Sequence, residues 1–147
     1  MRHRQAIALL ALVGFFIALY LWLTHLGLGG PLKCGTGGCE TVQTSRWAAF
    51  LGLPVALYGV VGYGAILAVA LAALRPAALA RRGPALILAA LATGGALFTL
   101  YLTYVELFVI HAICRWCIAS AAIITAIWLV ALAALRRPRI PEPRTDP

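Results

Sequence analysis

The sequence predicts an all-α integral membrane protein: a bundle of four transmembrane helices, with a cysteine-containing extracytoplasmic loop and a short half-buried helix between the first two spans. Three observations lead there. The 147 residues are 63% hydrophobic and 11% charged, whereas a soluble globular domain is about 45–50% apolar and about 25% charged. Four long stretches carry no charge at all. The 12 basic residues, set against 4 acidic ones, fall mostly outside and to one side of those stretches. This composition excludes an ordinary soluble fold, and it is far too apolar for a disordered chain.

Nothing charged lies between Arg4 and Lys33, Arg46 and Arg75, Arg82 and Glu106, or Arg115 and Arg136. Each gap reaches or exceeds the ~20 residues that cross a ~30 Å hydrocarbon core. Spans are therefore expected at about 6–26, 54–74, 85–108 and 113–135, within a single membrane domain covering 1–147. Backbone groups in lipid must pair with one another, so the spans are helices. The basic start Met1-Arg-His-Arg4 suggests a signal peptide. However, the apolar run after it outlasts a secretory h-region of about 7–15 residues, and no small-x-small cleavage site follows. The expectation is an uncleaved anchor. The tail Arg136–Pro147, with four prolines, is expected to be disordered.

Four spans place both termini and the loop between spans two and three on one side. That side holds Arg2, Arg4, Arg75, Arg81, Arg82, Arg136, Arg137, Arg139 and Arg144, against Lys33, Arg46 and Arg115 on the other. Basic residues accumulate on the cytoplasmic side, so the termini are expected there. The formal charge of +8 then reports topology. No basic, aromatic-interleaved soluble surface exists to bind nucleic acid.

All four cysteines fall on the opposite, extracytoplasmic side, where disulfides form and persist. Cys114-Arg-Trp-Cys117 is a C-x-x-C at a helix N-terminus, a spacing that puts both sulfurs on one face of one turn. Free backbone N–H groups there, together with Arg115, favour a thiolate. Cys34 and Cys39 are separated by Gly-Thr-Gly-Gly, an open loop that could swing Cys39 toward Cys114 for thiol–disulfide exchange. The segment Thr44–Leu51 is read as the half-buried helix, before Gly52 and Pro54. Spacing alone leaves three readings open: two structural disulfides, a four-cysteine zinc site in a membrane module, and a redox relay. The oxidising compartment and the redox-active habit of C-x-x-C favour the relay.

A relay needs an electron acceptor. The glycines of Gly94-Gly95 and Gly59-x-x-Gly62 lie inside apolar helices and suit close helix packing rather than phosphate binding. His25 and His111 lie near one face and His3 near the other, so no pair can sandwich a haem. What remains is an acceptor dissolved in the bilayer, a quinone. Leu97, Tyr101, Tyr104 and Phe108 form a stripe at helical spacing that ends level with the cysteines. It can face the quinone, or it can be ordinary packing and an interfacial aromatic belt. Glu106, the only acid near a span, can hydrogen-bond within the bundle or take part in proton transfer.

These residues occur in a familiar order. Cys34-x₄-Cys39 is followed by Glu40-Thr-Val-Gln-Thr-Ser-Arg-Trp47, then Phe50-Leu-Gly-Leu-Pro-Val55 running into Tyr58-Gly59, then Ala112-Ile-Cys-Arg-Trp-Cys117. Over roughly residues 6–135 the chain resembles the vitamin K epoxide reductase family, specifically its bacterial members. The DsbB-type oxidases differ, since their C-x-x-C lies in the first outer loop. The resemblance implies a quinone-dependent, disulfide-forming oxidoreductase of the bacterial inner membrane, using ubiquinone or a menaquinone of the vitamin K type. Cys117 would face the quinone and form an adduct with it. Cys114 would be its partner, exchanging with Cys39. Cys34 would be the outermost shuttle, taking electrons from a thioredoxin-like protein. Ser45 matches the family's serine near the active site, and Trp47 and Phe50 belong to the capping segment beside the quinone. Vertebrate members carry a tyrosine four residues after the second C-x-x-C cysteine. Here that position is Ala121, which points to quinone rather than epoxide reduction. Many bacterial relatives carry a fused thioredoxin domain; here the thioredoxin-like partner is expected to be separate.

Overall fold

A computed structural model of the chain describes residues 2–31, 34–35, 38–79 and 81–136. The expected disorder of the tail beyond Arg136 lies outside these residues. Helix α1 (Arg2–His25) leads into the cysteine loop and a short α2 (Gly38–Thr44). A 3₁₀ turn at Arg46–Ala48 follows, then a two-residue-per-strand hairpin, β1 (Ala49–Phe50) and β2 (Leu53–Pro54). The remaining elements are α3 (Val55–Ala72), α4 (Pro76–Leu79), α5 (Gly83–Val105), a π-helical turn at Glu106–Ile110, and α6 (Arg115–Arg136). Four helices, Arg2–His25, Val55–Ala72, Gly83–Ile110 and Arg115–Arg136, are long and apolar enough to cross a membrane. The fold is the expected all-α membrane bundle.

The bundle closes because small residues face inward. α1 packs on α3 and α6, and α5 packs on α6 and α3. Ala8, Ala11, Ala18, Ala70, Ala92 and Ala131 are buried at these seams beside Ile7, Ile66, Leu88, Ile124 and Ile127. In lipid, apolar contact alone gives helices no reason to associate, so close van der Waals approach and cross-helix hydrogen bonds hold them. Gly14 shows how tight the approach is: a Cβ there would lie 2.3 Å from the Tyr63 ring. The same Tyr63 donates its hydroxyl to the Ser120 carbonyl at 2.8 Å, tying α3 to α6. Trp128 Nε1 donates to Thr93 Oγ1 at 3.0 Å, tying α6 to α5. Of the glycines expected at helix contacts, Gly59 and Gly95 meet a neighbouring helix closely, while Gly62 and Gly94 face open space.

The segment after the cysteines departs from expectation. Thr44–Leu51 is not a helix. The helix lies earlier, at Gly38–Thr44, and the chain then turns through Ser45 into the hairpin. The reversal at Leu51-Gly52, with φ of 51° and 81°, is a two-residue turn that requires φ > 0 at both central positions. Gly52 accepts that conformation freely, whereas Leu51 adopts it at a cost and stands 85% exposed. A hairpin signal was therefore present in Leu-Gly, masked by the apolar residues around it.

At the other end, α5 does not stop where its α-helical hydrogen bonds do. It runs on through the π turn and closes on His111 in the left-handed region, φ 54°. The Glu106 carbonyl accepts the N–H groups of both His111 and Ala112. This wide last turn aims the Glu106 side chain into the bundle, and the chain re-enters as α6 four residues after His111.

Candidate active site: a dithiol beside an apolar cavity

Cys114 sits at the start of α6, where its carbonyl accepts the first helical bond, from Ile118 N–H at 3.0 Å. Cys117 follows one turn later. Both are free thiols; Cys114 is fully buried and Cys117 partly so. Cys34 and Cys39 are joined in a disulfide with a Cα–Cα distance of 6.1 Å. Cys34, Cys39, Val42 and Cys114 make one buried cluster, with Trp116 and Cys117 packed against it. The fold thus brings all four cysteines together at one end of the bundle. Cys34, expected on an open loop, is itself buried, only 8% exposed.

α2 creates this juxtaposition. Gly38 lies against the backbone that precedes α6, and a Cβ on it would come 2.2 Å from the Ile113 carbonyl oxygen. Cys39 is therefore held against the C-x-x-C turn. One helical turn after Cys39, Gln43 Nε2 donates to Cys117 Sγ at 3.8 Å. Gln43 was missed as a site residue. Its signal was the i, i+4 step from Cys39, which sets the two on one face of α2.

The thiols are unequal. A hydrogen bond from the Cys117 thiol, aided by backbone N–H groups of Cys117 and Trp116, lowers the Cys114 pKa to about 7, against the opposing effects of burial and of the Glu106 charge. Arg115, expected to help, is exposed. Trp116 packs instead on Tyr20 of α1, with ring centroids 5.1 Å apart.

Cys117 opens onto a cavity of about 200 Å³ between the helices. Most of the wall is apolar, from Leu21, Ile66, Leu91, Phe98 and Leu102, with Gln43, Thr99, Thr103, Ser120 and Glu106 as polar points. Trp47 lines it too, its ring covered by the Arg46 guanidinium at 5.0 Å. Cys114 does not reach the wall. Other expected residues lie elsewhere. The Ser45 hydroxyl donates to the Val42 carbonyl at 2.7 Å and closes the end of α2. Phe50 joins Tyr58, Phe98 and Tyr101 in a ring cluster beside the cavity, with centroids 5.9, 5.6 and 6.4 Å from its own. Leu97, Tyr101 and Tyr104 do not line the cavity and are exposed on the outer face of α5, as is Phe108. The opposite face of the same helix, carrying Phe98 and Leu102, turns inward.

The buried Glu106 joins these groups. Its carboxyl lies within reach of the Cys117 thiol and the Cys114 backbone N–H, so the single Cys117 S–H can turn either to it or to the Cys114 sulfur. A dithiol of this kind can exchange with a neighbouring disulfide and pass two electrons to a flat apolar acceptor in the cavity. Compared with known families, residues 5–132 match the model described as the vitamin K epoxide reductase family.

Proposed function

The chain belongs to the vitamin K epoxide reductase family, a family of membrane oxidoreductases, and from that premise we propose that it oxidises dithiols for the extracytoplasmic space at the expense of a membrane quinone. The observation that carries this reading is the position of Cys117. It is the one cysteine on the wall of the apolar cavity, while its partner Cys114 packs against the Cys34–Cys39 disulfide. Ligand sites of this type are concave and mostly apolar, with a few polar points. A quinone of the ubiquinone or menaquinone class suits those walls. When bound, it supplies a sink for two electrons and two protons.

The chain's own residues do the rest. A reduced thioredoxin-like protein attacks Cys34, and the disulfide with Cys39 opens. Cys39, already packed against Cys114, attacks an oxidised Cys114–Cys117 bond at Cys114 and releases Cys117 into the cavity. The partner's second cysteine resolves its mixed disulfide and frees Cys34. Cys34 attacks Cys39, re-forms the Cys34–Cys39 disulfide and releases Cys114. The Cys114–Cys117 bond then re-forms as two electrons and two protons leave for the acceptor. Gln43 and Glu106 hold the Cys117 sulfur in place. Trp47 and the Phe50 ring cluster cover one side of the cavity and limit water. Position 121 is alanine and adds no hydroxyl, so the reading favours quinone over epoxide as acceptor.

The test is turnover by purified protein in lipid nanodiscs, with reduced dithiothreitol as donor and a soluble quinone as acceptor. We expect quinone reduction that Cys117→Ala abolishes. Cys34→Ala should block oxidation of a thioredoxin-like donor yet leave most dithiothreitol turnover, since a small thiol reaches Cys114–Cys117 without the shuttle. Loss of both activities in Cys34→Ala would give Cys34 a structural role instead.

A further inference from the structure

Glu106 is 7% exposed, at the level where α5 gives way to the π turn. It is the only carboxyl on the cavity wall, and no lysine, arginine or histidine shares that wall among the described residues. A carboxylate buried among apolar groups is tolerable only while hydrogen-bond donors face it. The Cys117 thiol shares that wall and is within reach of Glu106, and the Cys114 backbone N–H also faces the carboxyl. One of these two is an S–H bond that exists only while the dithiol is reduced. From this arrangement we infer that Glu106 is the proton carrier of the dithiol: it takes the Cys117 proton as the pair is oxidised and returns it when the pair is reduced. The inference deepens the reading of Cys117 as the cavity thiol, and it concerns a residue that touches a reacting atom.

The step balances as follows. Oxidation breaks the S–H bonds of Cys114 and Cys117 and forms their S–S bond. Two electrons pass to the acceptor, a quinone in the membrane or a disulfide in the test. The Cys117 proton moves to a Glu106 carboxylate oxygen, and the Cys114 proton leaves by the loop side. The disulfide sulfur offers Glu106 no donor, so the neutral carboxylic acid is the form that suits the oxidised site. Reduction reverses each transfer. The other ionisable groups facing this point are Cys114 and Cys117 on α6 and Tyr58 and Tyr63 on α3. His111 and Arg115 flank it but are exposed.

The experiment needs no quinone. The full chain, with Cys34 and Cys39 changed to alanine so that one pair reports, is set in nanodiscs and poised with glutathione buffers. Infrared spectra of the oxidised minus the reduced protein should show a protonated carboxyl band that appears on oxidation and shifts in D₂O. Glu106→Gln should remove it and Glu106→Asp should keep it, displaced. The reduced fraction at fixed glutathione ratio supplies a second measurement. Glutathione itself loses both its protons on oxidation, so any pH dependence below about 7 reports the site. We expect the equilibrium constant for reduction to rise up to tenfold per pH unit over part of the range 5.5–7 in the parent and in Glu106→Asp. Glu106→Gln should be flat below about pH 6, above which the only remaining slope is that of the Cys114 thiol, itself independent of the carboxyl band. A parent protein with no carboxyl band change, or a band and a slope below about pH 6 that persist in Glu106→Gln, would overturn the inference. Because quinone is absent, failure of the proposed acceptor would leave this result standing.

Discussion

Cys114 and Cys117 are three residues apart, yet their surroundings divide the chemistry between them. Cys114 receives a hydrogen bond from the Cys117 thiol and backbone N–H groups at the helix start, and its pKa is lowered to about 7. Its thiolate is therefore present in the folded, reduced protein from about pH 7 upward, a range in which an ordinary thiol of pKa ~8.5 is still mostly protonated. Ultraviolet thiolate absorbance of the reduced protein, with Cys34 and Cys39 changed to alanine, should rise with a midpoint near 7. Cys114→Ala should remove that step. Cys117→Ala deletes the largest cause of the shift and should move the midpoint upward, toward the ordinary value. A midpoint that stayed near 7 in Cys117→Ala would assign the effect to the helix start alone. The same variant, with Cys34 and Cys39 restored, tests the exchange order. With no Cys117 to displace it, a Cys39–Cys114 disulfide should accumulate and be found by peptide mapping. Finding Cys39 joined to Cys117 in Cys114→Ala, and no trapped species in Cys117→Ala, would reverse the two roles.

At the scale of elements, α2 and the π turn set the geometry, and they were the least legible parts of the chain. The spans could be read because an uncharged gap of about 20 residues or more has few other meanings in a chain this apolar. The C-x-x-C could be read because its helix start follows from spacing. The face of α5 could not be read. In a soluble protein the apolar stripe marks the core, but lipid is as apolar as the bundle interior, so Leu97, Tyr101 and Tyr104 turn outward while Phe98 and Leu102 line the cavity. Nor did any residue pattern announce the π turn, which places Glu106 beside Cys117. The helix expected at Thr44–Leu51 lies six to seven residues earlier, at Gly38–Thr44, where Gly38, a poor helix former, is tolerated for contact rather than propensity. A Cβ on Gly38 would overlap the Ile113 carbonyl, so Gly38→Ala must push α2 away from the start of α6. We expect exchange between the two cysteine pairs to slow by tenfold or more in rapid-quench thiol trapping. The Cys34–Cys39 disulfide should still form, and dithiothreitol turnover should survive. Unchanged exchange would mean that α2 already moves freely relative to α6.

The whole molecule is a small-residue core inside a coat of large apolar side chains. Leu9, Val13, Phe16, Val61, Leu100 and Leu129 are each more than half exposed, a continuous surface that only lipid would cover without aggregation. The cysteine cluster sits at one end of that coat. At the opposite end, the Arg4 guanidinium donates to the carbonyls of Ala73 and Ala78, capping the carbonyl end of α3 and fastening the loop that carries Arg75, Arg81 and Arg82. Charge then decides which end faces which compartment. Basic residues at helix ends resist transfer across the membrane, and in the sequence they fall in three separate segments that four crossings would put on one side. Because each segment votes alone, removing one should weaken the bias without reversing it. A membrane-impermeant maleimide added to intact spheroplasts should label Cys34 after mild reduction, and a reporter fused after Pro147 should stay in the cytoplasm. Arg81→Ala with Arg82→Ala should leave both results unchanged. Converting the basic residues of all three segments should produce a mixed population, with part of the C-terminal reporter outside. A reporter found outside in the parent protein would invert the orientation, and it would move the dithiol into a reducing compartment where its proposed direction of electron flow has no driving force.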